Sequence, residues 1–203
     1  MAEDGITAAQ AQAPLQEHYC LFDTAIGSCG VAWSEQGLTR VQLPEADRNS
    51  TERRLRARSG GTRSDDPPPQ IKQLIDEIQR FATGERVDFS SAVLDLSKVG
   101  PIDREIQIAA RSIGWGTTAT YGDLARQTGT PGDARGVGQA MSRNPMPIVI
   151  PCHRVLAKGN KLGGFSAYGG TVTKERLLAL EGVRVGDDAP LLPGLFSNER
   201  RSA

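Results

Sequence analysis

Cys152 and His153 stand side by side in the stretch IVIPCHRVLAKGNKLGGFSAYGG, residues 148–170, ahead of a run of glycines. Free cysteine is among the residue types most often buried, so a core position is one reading. The flanks argue for a site instead, because Pro151 offers no N–H donor and His153 and Arg154 belong to types seldom buried without partners. Chemically, a thiolate is the softest strong nucleophile a side chain supplies, suited to displacement at carbon. Its ordinary pKa of roughly 8.5 is lowered by a neighbouring base or cation, and His153, Arg154 and their basic surroundings are the candidates. Consecutive side chains of an extended chain point apart, so a turn or a bridging water must connect the pair. Glu181 falls in the last turn of a helical pattern, where the dipole disfavours a negative charge by about a few tenths of a kcal/mol. An exposed glutamate tolerates that, but an imidazole partner explains the placement better.

The elements that must position these groups are legible around them. YGDLARQTGTPGDARGVGQAMSRN reads as two short helices about a Gly- and Pro-containing turn, with Leu124 and Ala125 facing Val137, Ala140 and Met141. That helix-turn-helix leaves Arg135, Gln139 and Ser142 outside. Gly136 and Gly138 each cost about 1 kcal/mol in a helix interior. They serve tight packing or close approach of the backbone to a DNA groove, and the neighbouring Arg135 favours the second. A preceding helix carries Ile102, Ile106, Ala109, Ala110 and Ile113 as one stripe, and TVTKERLLALEGV forms a final helix with Val172, Leu177, Leu178 and Leu180 inward and Gly182 as its stop.

The first half carries less signal. HYCLFDTAIGSCGVAWSEQGLTRVQL reads as short strands broken at Gly27, Gly30 and Gly37, followed by a loop near residues 57–69. Ile71, Leu74, Ile75, Ile78 and Phe81 recur at helical spacing before Gly84, and a short strand is expected over about 87–96. Gly100-Pro101 marks the domain boundary. The expectation is an α+β protein: a flexible tail over 1–16, a small α/β domain with a short sheet over 17–98, a mainly helical domain over 99–185, and a second tail over 186–203 packing through Leu191, Leu192 and Phe196.

Composition excludes several classes. With 38% apolar and 24% charged residues the 203-residue chain is globular, and it has neither a transmembrane run nor a signal-peptide start, which points to the cytoplasm, or the nucleus in a eukaryote. Cys20, Cys29 and Cys152 are too few for a disulfide framework. His18, Cys20 and Cys29 lack a fourth ligand and the paired spacing of a zinc site, so no metal is expected and packing in a hairpin is preferred. No cofactor motif is present, and no cofactor is expected. Net charge is zero, yet between Ala134 and Arg176 seven basic residues (Arg135, Arg143, Arg154, Lys158, Lys161, Lys174, Arg176) face the single acid Glu175. Basic character concentrated near Cys152 is the footprint of a phosphate-bearing partner, unless it is merely a solvated face.

Together, ATYGDLA, ARGVGQAMSRNPMPIVIPCHRV, GGF and KERLLALEG resemble the catalytic domain of the 6-O-alkylguanine-DNA alkyltransferases, over about residues 99–183. The resemblance implies direct, single-turnover repair of double-stranded DNA by a monomer without protein partners. Cys152 is then the alkyl acceptor, His153 its base through a water, and Glu181 the residue orienting that His. Tyr121 helps rotate the nucleotide and gives a proton toward the leaving guanine, Arg135 enters the duplex in place of the base, and Asn144 braces the turn. Gly136, Gln139 and Ser142 meet DNA, and Pro147, Val155, Gly164, Phe165 and Ser166 line the base pocket. Phe165 stands where the family more usually has Tyr, and the SAYGG loop is longer than the simplest form. A base inside a duplex is out of reach of a buried thiol, so the nucleotide must be flipped out. Two other readings are weighed: a lesion-binding relative without repair activity, which would lack the acceptor Cys152, and a cysteine hydrolase, which has no need of a helix-turn-helix.

Overall fold

The computed structural model describes residues 16–185, so the expected packing of Leu191, Leu192 and Phe196 and nearly all of the first tail lie outside the described residues. Strands β1 (His18–Thr24), β2 (Gly27–Ser34) and β3 (Gly37–Gln42) form two successive antiparallel hairpins. Their turns fall at Gly27 and Gly37, whose φ of 122° and 138° side chains rarely adopt. Gly30 does not break the chain as expected but lies within β2, where a Cβ would collide with Leu55. Leu55 belongs to helix α1 (Arg48–Ser59), an element without an expectation in the sequence except that its last residues fall in the loop near 57–69. The helix is short of apolar residues, and only Thr51, Leu55 and Ser59 are buried, one per turn. Its ends are nevertheless marked: Asp47 caps the Ser50 N–H, and Gly60 at φ 68° closes it. Strand β4 (Thr62–Arg63) then pairs parallel with β1, giving the order β3-β2-β1-β4.

Helix α2 (Pro69–Ala82) buries Ile71, Leu74, Ile78 and Phe81 against the sheet, and Gly84 ends it as expected. Residues 87–96 form no strand of their own. They touch the edge strand β3 at one bridge, Leu38–Leu94, with Leu38 N–H donating to the Val93 carbonyl at 2.9 Å and Asp95 N–H donating to the Leu38 carbonyl at 2.8 Å.

Helix α3 (Pro101–Arg111) opens the second half and buries Ile106 and Ala110, with Ile113 just beyond its end. Ile102 departs from the expected stripe at 70% exposure: it lies in the first turn of α3, and the buried positions begin at Ile106. A two-stranded parallel ladder of β5 (Ala119–Thr120) and β6 (Val155–Leu156) sets the start of α4 (Tyr121–Gln127) beside the Cys152 turn. Thr120 and Asp123 cap α4 reciprocally. Helix α5 (Ala134–Ser142) completes the helix-turn-helix, with Leu124, Ala125, Val137, Ala140 and Met141 all buried at the contact. In α6 (Thr171–Leu180) the inward face differs from expectation. Val172 is 61% exposed, and the buried positions are Lys174, Leu177, Leu178 and, at the C-cap, Glu181, the i, i+3, i+4, i+7 set of one helical face. One apolar core runs through both halves, from Val31 and Phe81 to Ile148 and Ile150.

Candidate active site

The loop before Cys152 is held by its own asparagine. Asn144 donates through Nδ2 to the Ile150 carbonyl at 2.8 Å and accepts at Oδ1 from Met146 N–H at 2.9 Å. That clamp spans Ile148, a β-branched residue at φ 74°, a conformation costing about 1–3 kcal/mol that persists only where surroundings impose it. The first half adds a hold from outside: Val41 N–H of β3 donates to the Pro145 carbonyl at 2.9 Å. The chain then turns through a single 3-10 helix, Cys152–Arg154, which supplies the turn that adjacent Cys and His required.

His153 is fully buried, with Nε2 2.7 Å from Oε1 of Glu181. Burial lowers its pKa although the Glu181 hydrogen bond and charge oppose the shift, so the ring is neutral at pH 7. A carboxylate only accepts, so Nε2 carries the proton and Nδ1 keeps a free lone pair. Nδ1 is buried and has no hydrogen-bond partner within the described residues. Glu181 thus has its imidazole partner, and also a second one. Arg154 grips it from Nε at 2.9 Å and from a terminal nitrogen at 2.9 Å, and donates to the Ile113 carbonyl at 2.5 Å. Burial pushes Glu181 up, but the hydrogen bonds from His153 and Arg154 outweigh it and hold the carboxylate ionised. The guanidinium is therefore committed to Glu181, and the expectation that Arg154 favours a Cys152 thiolate is not met.

The cation near the thiol is Lys174, which the sequence reading counted only as part of the basic stretch. Its ammonium donates to the Val155 carbonyl at 2.6 Å, lies 3.5 Å from the Tyr121 hydroxyl and sits 5.6 Å from that ring's centroid. Burial lowers its pKa to about 8, against the pull of Cys152. Burial also raises the Cys152 pKa, opposed by a hydrogen bond with Asn144 and by the Lys174 charge. The resting residue is a thiol, against the expectation that its neighbours lower the pKa. Tyr121 is raised too, by burial and then by Cys152. The signal that could have found Lys174 is its place three and four residues before two inward leucines and seven before Glu181.

Cys152 opens to a groove of about 480 Å³ lined also by Tyr121, Arg135, Gly138, Gln139, Ser142, Gly164, Phe165 and Ser166. The structure brings these expected residues together. Two others sit elsewhere: Val155 is fully buried and contributes its carbonyl to Lys174, and Pro147 lines an adjoining slot. Gly136 has a local reason, since a Cβ there would collide with the Asp133 carboxylate that caps α5. Gly163, at φ 65°, lies against Tyr121, where a Cβ would meet the ring edge at 3.0 Å. Of the seven basic residues, Arg154 and Lys174 are buried and Arg143 is held by Asp103 at 2.6 and 2.7 Å, leaving Arg135, Lys158, Lys161 and Arg176 exposed. Cys20 and Cys29 are buried on neighbouring strands with pKa values pushed up by burial to about 11 and about 12.

The model of the 6-O-methylguanine DNA methyltransferase DNA-binding domain matches residues 101–183. A Methanothermobacter thermautotrophicus protein described as methylated-DNA--protein-cysteine methyltransferase is 37% identical over 76% of this chain and 79% of its own length. The chain belongs to this family. A constitutive Bacillus subtilis member is 32% identical over 81% of this chain and 94% of its own length. Among solved structures, Mycobacterium tuberculosis O6-methylguanine methyltransferase aligns with TM-score 0.68 and 32% identity, over 85% of this chain and 97% of that one. Mycobacterium tuberculosis OGT in complex with DNA aligns with TM-score 0.66 and 32% identity, over 81% and 92%. Family and fold class thus agree with the resemblance read in the sequence, including the small sheet before a helical, DNA-binding second half.

Proposed function

We infer that this protein repairs double-stranded DNA by moving the alkyl group of 6-O-alkylguanine directly onto Cys152, once per chain. The observation that carries the reading is a thiol at the floor of a groove beneath a helix-turn-helix, backed by a neutral histidine whose free Nδ1 is fixed by an ionised glutamate. Residues 99–185 are the alkyltransferase domain and residues 17–98 its support. Arg135, exposed on the first turn of α5, fills the duplex where the flipped nucleotide leaves, and Gln139 and Ser142 face the same partner. Gly164, Phe165 and Ser166 receive the base.

His153 Nδ1 takes the thiol proton, directly or through one water, as the Sγ–carbon bond forms. The carbon–O6 bond breaks with its electron pair remaining on guanine, which accepts a proton from Tyr121. Lys174 steadies the charge passing from thiolate to tyrosinate. The imidazolium releases its proton to solvent and the tyrosine is reprotonated, so the net products are a thioether and guanine. The protein is consumed, because a thioether has no carbonyl for water to attack. No described helix is long and apolar enough to cross a membrane, and buried free thiols suit a reducing compartment, so we place the protein in the cytoplasm, or the nucleus of a eukaryote, acting as a monomer. Incubation with duplex DNA carrying 6-O-methylguanine, followed by intact-protein mass, should show one methyl per chain, mapped to Cys152, and a plateau at one equivalent. Product formed beyond one equivalent would sink the single-turnover mechanism in favour of a hydrolase, and binding without a mass change would make the chain a lesion-recognition protein.

A further inference from the structure

The base groove does not end at the thiol. Cys152, Phe165 and Ser166 also line a second slot, which continues between Asn144, Pro145 and Pro147 to Arg40 and Arg58 of the first half. Its volume is about 30 Å³, room for roughly two water-sized groups. Arg54 lines it too, but is paired with Glu45 at 3.2 Å. The side chains of Arg40, partly buried on β3, and of Arg58, exposed in the last turn of α1, make no hydrogen bond or ion pair with a described residue. Burial lowers the Arg40 pKa and the Arg58 charge lowers it further, while Glu17 opposes the shift but is already engaged by Lys98 and Thr39. The two arginines also border a neighbouring cleft with Glu17, Asp95 and Asp103, but Asp95 accepts from Ser34 and Asp103 is held by Arg143, so no carboxylate pairs with either guanidinium. Two like charges left in that way make an anion site, since an anion between them relieves the repulsion and satisfies planar N–H donors.

A base held in the groove with its O6 substituent at Cys152 directs whatever lies beyond the reacting carbon into this slot. We propose that Arg40 and Arg58 form an anion subsite behind Cys152 that recognises O6 substituents ending in a carboxylate, such as carboxymethyl. This rests on the alkyl-transfer reading. The chemistry is the same displacement: Sγ bonds to the CH₂ carbon, the carbon–O6 bond breaks with its electrons on guanine, guanine takes the proton, and the carboxylate passes unchanged into the slot. A carboxylate is about the size the slot accepts.

The test uses duplexes carrying 6-O-carboxymethylguanine, its uncharged counterpart 6-O-carbamoylmethylguanine, and 6-O-methylguanine, with single-turnover rates read by intact-protein mass. In Arg40→Gln the carboxymethyl-to-carbamoylmethyl rate ratio should fall about tenfold, the loss of roughly 1.4 kcal/mol, with several-fold loss in Arg58→Gln and partial retention in Arg40→Lys. Methyl transfer should stay within about twofold. Arg58 is exposed at a helix end, so its variant keeps the question answerable should Arg40→Gln fail to fold. An unchanged ratio in the folded variants overturns the proposal. So does an equal loss on all three substrates with weakened duplex affinity, which would make the pair a DNA-phosphate contact. Failure of the unaltered protein on all three would instead remove the alkyl-transfer reading itself.

Discussion

Replacing Lys174 with Met should make the protein more stable and slower. The side chain is fully buried, and its pKa falls from an ordinary 10.5 to about 8. At roughly 1.4 kcal/mol per tenfold, the charge costs the fold about 3 kcal/mol at neutral pH. Met keeps the length without the charge but loses the 2.6 Å hydrogen bond to the Val155 carbonyl. That loss is about 1–1.5 kcal/mol, leaving a net gain of about 1–2 kcal/mol. The sign depends on pH in a fixed way. Below about 8 both folded and unfolded chains carry the proton and the cost is full; between about 8 and 10.5 only the unfolded chain does, and native stability climbs with pH. The advantage of Lys174→Met should therefore be complete at pH 7 and gone by pH 10.5, as read from urea midpoints. Transfer should slow about a hundredfold or more, since an ammonium 3.5 Å from the Tyr121 oxygen is worth up to about 5 kcal/mol to a developing phenolate at an effective dielectric near 20. A variant less stable than the parent at pH 7, or one that transfers at the parent rate, would refute the reasoning.

Cys152→Ser should abolish transfer while duplex affinity stays within about twofold, measured by fluorescence anisotropy, because the buried sulfur reaches no phosphate. Arg135→Ala should slow repair of duplex DNA at least tenfold more than reaction with free 6-O-benzylguanine, since only the duplex requires base extrusion; equal losses would assign Arg135 to the pocket or fold. The acid limb of the transfer rate should have its midpoint below the ordinary 6.5 of histidine, because burial depresses His153 and the base is lost only when that ring protonates. Glu181→Gln should cost about 3–5 kcal/mol in urea titrations by leaving the Arg154 guanidinium buried and unpaired.

The Cys152–His153 pair and the helix-turn-helix were legible because each is local. PCHRV lies on one turn, and the facing apolar positions of α4 and α5 repeat at helical spacing. Glu181 was legible by an inconsistency, a carboxylate at the wrong end of a helix, which His153 and Arg154 resolve. Lys174 was not, because an inward lysine is visible only once the helix phase is known, and the apolar Val172 suggested a different phase. Helix α1 was hidden by composition: its five arginines and one buried leucine carry no periodic signal, although Asp47 and Gly60 mark both ends. The true direction of Arg154 could not be read from charge alone, since attraction to a nearby thiol and to a glutamate 27 residues away look alike in sequence.

The hydrogen bond from Val41 to the Pro145 carbonyl bears on how the chain can be cut. β3 is the edge of its sheet, and its open donors and acceptor pair with residues 93–95 on one stretch and with the loop before Cys152 on another. Each half thereby hides what the other would otherwise present to a neighbouring molecule: a strand edge ready for intermolecular pairing, and a loop bearing a left-handed isoleucine with no outside hold. Severed at Gly100, the first piece would be prone to self-association and the second would lose its thiol geometry before its helices. Swapping first halves between relatives should succeed only where the strand facing Pro145 keeps its register.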